Sequence, residues 1–273
     1  LRYISVSSPK IHNLAVFNTM KKFLGYFLAP IVLLFYLLTL CVFHPIQWVA
    51  YKLFGYSAHK KAVDVLNFCL TNCLLLSGNP VKFIDHQNLP VGRSIIFVAN
   101  HQSLLDIPPL GWYLRAYHVK FISKIELTKG VPSVSFNLKH GGAANIDRND
   151  QRQSITELLK LGTRMKENKW SAIIFPEGTR SKDGQVKTFR AAGIATILKK
   201  CPDALIVPVV IKNSWYIVKY GYYPLITFTP MSLEVLTPIE PGKTPVEEVV
   251  LAAENQIRVA LGQEPATPYT IKA

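Results

Sequence analysis

Between Phe23 and Tyr51 the chain contains no Asp, Glu, Lys or Arg, and the middle of this run reads IVLLFYLLTLCVF. A helix needs about 20 consecutive apolar residues to cross the ~30 Å hydrocarbon core of a bilayer, so a run of this kind asks for a lipid-facing helix. Two buried helices of a soluble bundle are the alternative. Lys21 and Lys22 precede the run in the manner of a signal peptide, but no small-x-small cleavage site follows, so the segment is expected to be retained. Lysines flank both ends, Lys21 and Lys22 before and Lys52, Lys60 and Lys61 after, so a positive-inside bias sets no orientation. Pro30 and Pro45 leave a re-entrant or in-plane hairpin open beside a full crossing. Downstream, AVDVLNFCLTNCLLL sets Val65, Leu66, Cys69, Leu70, Cys73 and Leu76 at helical spacing, interrupted by Asp64, Asn67 and Asn72. That pattern predicts an amphipathic helix lying on the membrane or the domain rather than a second span. The chain opens on Leu1, and Met20 stands just before the Lys-Lys pair. Residues 1–19 are therefore expected to be a non-structural extension, and 20–78 a helical membrane motif.

The 31 Lys and Arg against 17 Asp and Glu leave a net charge of +14, which favours an anionic partner: nucleic acid, a phosphate-bearing substrate or an anionic membrane surface. Nucleic acid is the weakest of these, because the charges are not clustered with exposed aromatics or with a groove-binding motif. Cys41, Cys69, Cys73 and Cys201 form no C-x-x-C pair, and three of them lie in apolar segments. They read as buried thiols of a reducing compartment, with no disulfide or metal role.

After the linker SGNP, short apolar runs alternate with helical patterns. Strands are expected at Val81–Ile84, Ser94–Ala99, Val119–Ser123, Ala172–Phe175, Leu205–Ile211 and Ser232–Leu236, several of them apolar on successive residues as central strands are. Ile155, Leu158, Leu159 and Met165 mark one amphipathic helix, and Phe189–Lys200 holds another. In the last helix Thr244 is the expected cap, Pro245 the first helical residue and Glu247 the closure of a capping box, with Val249, Val250, Ala253, Ile257 and Leu261 on one face. This alternation predicts an α/β fold, one domain over 79–273.

Two clusters follow expected strands directly, where open α/β sheets place their sites. In NHQSLLD, His101 and Asp106 stand five residues apart. An aspartate accepting from Nδ1–H would leave Nε2 as a base for a substrate hydroxyl; equally, Asp106 is a good helix cap and His101 a loop residue. The spacing alone does not choose. Ser103 lies two residues from His101 with no nucleophile elbow around it, which argues against a serine nucleophile. In FPEGTRSKDG, Arg180 has the fork suited to a phosphate and Gly178 lets backbone approach a ligand, with Lys187 and Arg190 downstream. Between the clusters, Lys124 and Glu126 in SKIELTKG and Arg148 in GGAANIDRND add further charge.

As a set, N-H-x-x-x-x-D after one strand, K-x-E-L, G-x-x-x-I-x-R, F-P-E-G-T-R after another strand and V-P-V in a third, behind an apolar amino terminus, resemble the glycerolipid acyltransferase family. Within it the chain is similar to the bacterial 1-acylglycerol-3-phosphate acyltransferases. The resemblance runs from Phe23 to about Ile211. It implies a glycerolipid-acyltransferase-like α/β domain with an amino-terminal hydrophobic helical membrane anchor, held at the cytoplasmic face of the inner membrane. It implies His101 as general base oriented by Asp106. It also implies a phosphate site drawn from Arg180, Arg148, Glu177, Gly178, Thr179 and Lys124. The implied reaction moves an acyl group from acyl-CoA or acyl carrier protein to the sn-2 hydroxyl of 1-acylglycerol 3-phosphate, giving phosphatidic acid, with no cofactor, metal or acyl-enzyme. Membrane lipids, lysophosphatidate and the thioester are the implied partners; nucleic acid is not. Another lysophospholipid or a lyso-aminolipid as acceptor, or a non-catalytic lipid-binding protein at the membrane surface, are the competing readings.

Overall fold

All five residues of Ile95–Ala99 are buried, Ile95, Phe97 and Ala99 in one core and Ile96 and Val98 in another. A strand covered on both faces needs apolar residues at every position, so a continuous run rather than alternation marks it in the sequence. The computed structural model describes residues 9–267, with side chains from Asn18 onward. In chain order the helices are α1 (Pro9–Cys73), α2 (Ile107–Tyr113), α3 (Val134–His140), α4 (Gln151–Asn168), α5 (Ala192–Leu198), α6 (Ser214–Ile217) and α7 (Val246–Ala260). The strands are β1 (Val81–Ile84), β2 (Ile95–Ala99), β3 (Val119–Lys124), β4 (Ala144–Ile146), β5 (Ser171–Ile174), β6 (Leu205–Lys212) and β7 (Met231–Val235). They form one seven-stranded sheet in the order β1-β7-β6-β2-β5-β3-β4. From β6 to β4 neighbouring strands are parallel; β7 is antiparallel to β6 and parallel to β1.

One face of the sheet is covered by α1, α2 and α6 through Ala29, Val32, Leu110 and Ile217, with Leu114 just past α2. On the other, α4, α5 and α7 contribute Leu158, Leu161, Met165, Ile194, Ile197, Val249, Val250, Ala253 and Ile257. The fold is thus a mixed α/β sheet between two helical layers.

The segment assigned to α1 is a helical hairpin. Gly55, at φ 77° and ψ −167°, breaks it, a conformation open to glycine because it has no Cβ. Beyond the break the chain returns on itself: the Thr39 hydroxyl lies 3.9 Å from the Cys73 sulfur, and Gln47 Oε1 is 3.2 Å from His59 Nε2. Pro30 and Pro45 lie inside the first arm without ending it. Asn18–Ser77 is long and apolar enough to cross a membrane. The hairpin is nevertheless docked on the α/β domain along its length. The Thr227 hydroxyl donates to the Lys21 carbonyl at 2.9 Å, Ser133 donates to the Leu40 carbonyl and His44, and Tyr56 meets Lys120 and His118. The opposite side is bare, with Phe23, Phe27, Leu34 and Phe54 each more than half exposed.

Several expectations change. Residues 1–8 of the expected extension lie outside the described residues, and helix is already present from Pro9. Val65 and Leu76 are exposed rather than part of one buried face, and Cys41 sits on the exposed side of the first arm. The expected capping box of the last helix is absent. Thr244 instead donates its N–H to Pro241 in the preceding turn, Pro245 is extended at ψ 136°, and α7 begins at Val246 with no side-chain cap. The expected helix over Phe189–Lys200 shortens to α5, and the Phe189 amide ahead of it donates to the Glu254 carboxylate.

Candidate active site

β2 lies between β6 and β5, all parallel, so the segments leaving their carboxyl ends meet. The onward connections run in opposite directions, β2 to β3 and β5 to β6, the arrangement at which open α/β sheets form a crevice. The Asn100 amide ties the edge together, donating to the Ile211 carbonyl at 2.9 Å and accepting from its N–H at 2.8 Å.

His101 is the next residue. Its N–H donates to Glu177 Oε1 at 2.7 Å, its carbonyl accepts from Ser181 N–H at 2.8 Å, and its ring stacks on Phe175 with 4.1 Å between centroids. Both the β2 and β5 loops therefore fix the imidazole. Nδ1 lies 2.8 Å from Asp106 Oδ2, the His101 side chain being 16% exposed and that of Asp106 fully buried. The same oxygen accepts from the Gln102 and Ser103 amides at 2.7 and 2.9 Å, and Oδ1 accepts from the Ser214 hydroxyl. A carboxylate is an acceptor only, so Nδ1 carries a proton, and in the neutral ring Nε2 keeps its lone pair.

The alternative role for Asp106, a cap for the helix that follows, is not the one adopted. Ser103 caps the 3₁₀ turn Leu104–Asp106, accepting from Leu105 N–H at 3.0 Å, and Asp106 closes that box from its other end. Asp106 makes no side-chain bond to α2, because its carboxylate is turned back toward His101.

After β5, Glu177 is 4% exposed and accepts from the amides of His101 and Lys187, the latter at 3.1 Å. Burial pushes its carboxyl up to about 7, against the pull of those two bonds. Its side chain cross-links loops, so of the expected phosphate-site residues it is the one turned inward. Gly178 has φ 71°, which lets the chain turn sharply outward. Thr179 and Arg180 are exposed beyond it; no described residue pairs with the Arg180 guanidinium, while its carbonyl accepts from Lys187 Nζ at 3.0 Å. Lys124 closes β3, in register with Ile146, and Arg148 follows two residues later; both are exposed on the same edge. The structure thus brings His101, Asp106 and Glu177 into one bonded unit. Arg180, Lys124 and Arg148 lie along the rim without touching it.

Ser214, Phe175 and Gln102 belong to this unit and are not among the residues expected from the sequence. Ser214 could have been found by the strand-end argument, since it follows the apolar run Leu205–Ile211 as His101 follows Ile95–Ala99.

Comparison with known proteins agrees with this architecture. Residues 80–212 match the family model described as Acyltransferase. The 1-acyl-sn-glycerol-3-phosphate acyltransferase of Saccharomyces cerevisiae is 32% identical over 151 residues, 55% of this chain and 49% of that protein. The human 1-acyl-sn-glycerol-3-phosphate acyltransferase beta is 32% identical over 154 residues, 56% of this chain and 54% of that protein. The chain thus spans about half the length of these relatives. The crystal structure of the 1-acyl-sn-glycerophosphate (LPA) acyltransferase PlsC from Thermotoga maritima superposes with a TM-score of 0.67 at 23% identity. It covers 90% of this chain and 96% of that one, which shows a shared fold. Motifs, sheet and relatives thus agree with the match of residues 80–212 to the acyltransferase family model.

Proposed function

We propose that this protein transfers an acyl group from a thioester, acyl-CoA or acyl carrier protein, to the sn-2 hydroxyl of 1-acyl-sn-glycerol 3-phosphate, yielding phosphatidic acid at the cytoplasmic face of the cell membrane. The observation that carries the reading is the His101–Asp106 pair, with Nδ1 held at 2.8 Å and Nε2 left as acceptor in the crevice. The names of the yeast and human relatives support the acceptor.

The acceptor hydroxyl gives its proton to His101 Nε2 as its oxygen attacks the thioester carbonyl. The tetrahedral adduct collapses with loss of thiolate, which takes the proton back from the imidazolium. Asp106 holds the ring and stabilises its charged form during the transfer. No acyl-enzyme is needed, and the Ser103 hydroxyl oxygen is committed to its cap. Arg180, with Arg148 and Lys124 along the rim, meets the phosphomonoester, and Gly178 and Thr179 shape that approach; charge-assisted forks of this kind suit a dianionic phosphate. The bare apolar side of the hairpin lies in lipid, so acyl chains reach the crevice without full exposure to water.

The test is transfer of a labelled acyl group from a thioester onto lysophosphatidate by purified protein in detergent or vesicles. His101→Ala is expected to abolish transfer, a loss of at least ~100-fold, while the protein remains folded. Unchanged turnover would overturn the mechanism. Arg180→Ala is expected to raise KM for lysophosphatidate about tenfold or more while changing use of lysophosphatidylglycerol much less, since only the former offers a phosphomonoester. Equal losses on both acceptors would remove Arg180 from phosphate recognition.

A further inference from the structure

Asp106 is fully buried, and its two carboxylate oxygens are satisfied unequally. Oδ2 takes three donors, all from its own loop: His101 Nδ1 and the amides of Gln102 and Ser103. Oδ1 takes a donor from elsewhere in the chain, the hydroxyl of Ser214, which begins α6 at the end of β6. The Ser214 oxygen in turn accepts from the Ser103 hydroxyl at 3.2 Å, and the Ser103 oxygen accepts from Leu105 N–H at 3.0 Å. The result is a directed chain, Leu105 N–H to Ser103 to Ser214 to Asp106, with each hydroxyl donating once and accepting once. Ser103 is 1% exposed and Ser214 fully buried, so neither hydroxyl turns toward water for a partner. Bonds in such a chain polarise one another and strengthen where the surroundings are dry.

We propose that Ser103 and Ser214 are positioning residues of the acyl transfer: a hydroxyl relay that locks the Asp106 carboxylate from the β6 side and, through it, the ring and tautomer of His101. Without the Ser214 donor, Asp106 can rotate about its own side-chain bonds while still keeping one oxygen on the loop amides, and the imidazole loses its fixed partner. Neither serine touches substrate. The inference rests on the reading of His101 as the base, so its test needs an observable that does not depend on turnover.

Wild type and Ser214→Ala are compared in two ways: thioester-dependent acylation of lysophosphatidate across pH, and the protonation of the two His101 ring nitrogens read from their NMR shifts, assigned with His101→Gln. The expected result for Ser214→Ala is a fall in kcat of about 10- to 100-fold, the scale of leaving a buried charged acceptor unpaired. KM for lysophosphatidate is expected to stay within about twofold, because no contact to the phosphate is lost. The imidazole should pass from the single Nδ1–H form to a mixture. Ser214→Thr, which keeps the hydroxyl, restores kcat. Ser103→Ala, one bond further out, moves both readouts in the same direction by less, and serves alone should Ser214→Ala not fold. A folded Ser214→Ala protein with an unchanged imidazole spectrum, or with a raised KM at unchanged kcat, overturns the relay. If wild type does not acylate lysophosphatidate, the substrate reading fails while the imidazole spectrum still decides the positioning role.

Discussion

Asp106 and Glu177 are buried carboxylates on neighbouring loops, and their surroundings differ in kind. Asp106 faces a ring nitrogen, two amides and a hydroxyl, whereas Glu177, among the described residues, accepts from two amides alone. Burial dominates at Glu177 and raises it from 4.5 to about 7. The folded protein therefore holds this proton more tightly than the unfolded chain. Its stabilising effect is complete below about 4.5 and is lost as pH rises through about 7. Glu177→Gln, fixed in the neutral form, is expected to flatten the decline in melting temperature between about pH 5 and 7.5, as a thermal unfolding series would show. His101 and Asp106 are legible in the chain because each lies just past an apolar run and five residues from the other. The Ser214 contact is not, since its partner is 108 residues away and such a contact leaves no local pattern. Glu177 is legible as part of a motif but not by role: a carboxylate beside an arginine reads the same in sequence whether it faces ligand or core.

The same contrast holds among the elements. The central strands are readable because burial on both faces forces continuous apolar runs, whereas the three residues of β4 are too few to show any period. The apolar run of α1 is evident, but its fold-back rests on the single Gly55, and its docking rests on Gly25. A Cβ at Gly25 would overlap the Leu225 backbone carbonyl. Alanine is the better helix former by about 1 kcal/mol, so propensity alone would have Gly25→Ala stabilise the protein. Docking gives the opposite expectation, a net destabilisation of about 1–3 kcal/mol through overpacking, measured by unfolding in detergent. A raised melting temperature would mean that the hairpin does not rest on that loop. The misplaced start of α7 has a comparable origin: Thr-Pro-x-Glu has the composition of a cap, but the preceding turn claims Thr244 first.

Across the whole molecule, hairpin and domain are also joined at the amino edge of the sheet. Lys120, 5% exposed on β3, donates to the Tyr56 hydroxyl and lies 4.3 Å from the Trp170 ring centroid, with His118 stacked alongside. Burial first, and the repulsion of Lys60 second, lower its ammonium from 10.5 to about 7; Arg164 adds to this and Asp64 opposes it. For a base depressed in the fold, the stability contribution is present above about 10.5 and is lost as pH falls through about 7. Lys120→Met is thus expected to be more stable than wild type near pH 7 and to lose that advantage by about pH 10, as paired melting curves would reveal.

The hairpin begins and ends on one loop of the domain. Lys21 and Gly25 meet Thr227 and Leu225, and Ser77 and Asn79 meet Phe228, Ile226 and Thr229. A chain that departs from and returns to the same place keeps Lys21, Asn79 and the domain that carries the crevice on one side of a bilayer, however deep the hairpin sits. The crevice consequently serves a single leaflet. Lysolipid and thioester in the proposed reaction must both be supplied from that side, and phosphatidic acid is released there. Moving product to the other leaflet is left to a separate flipping step.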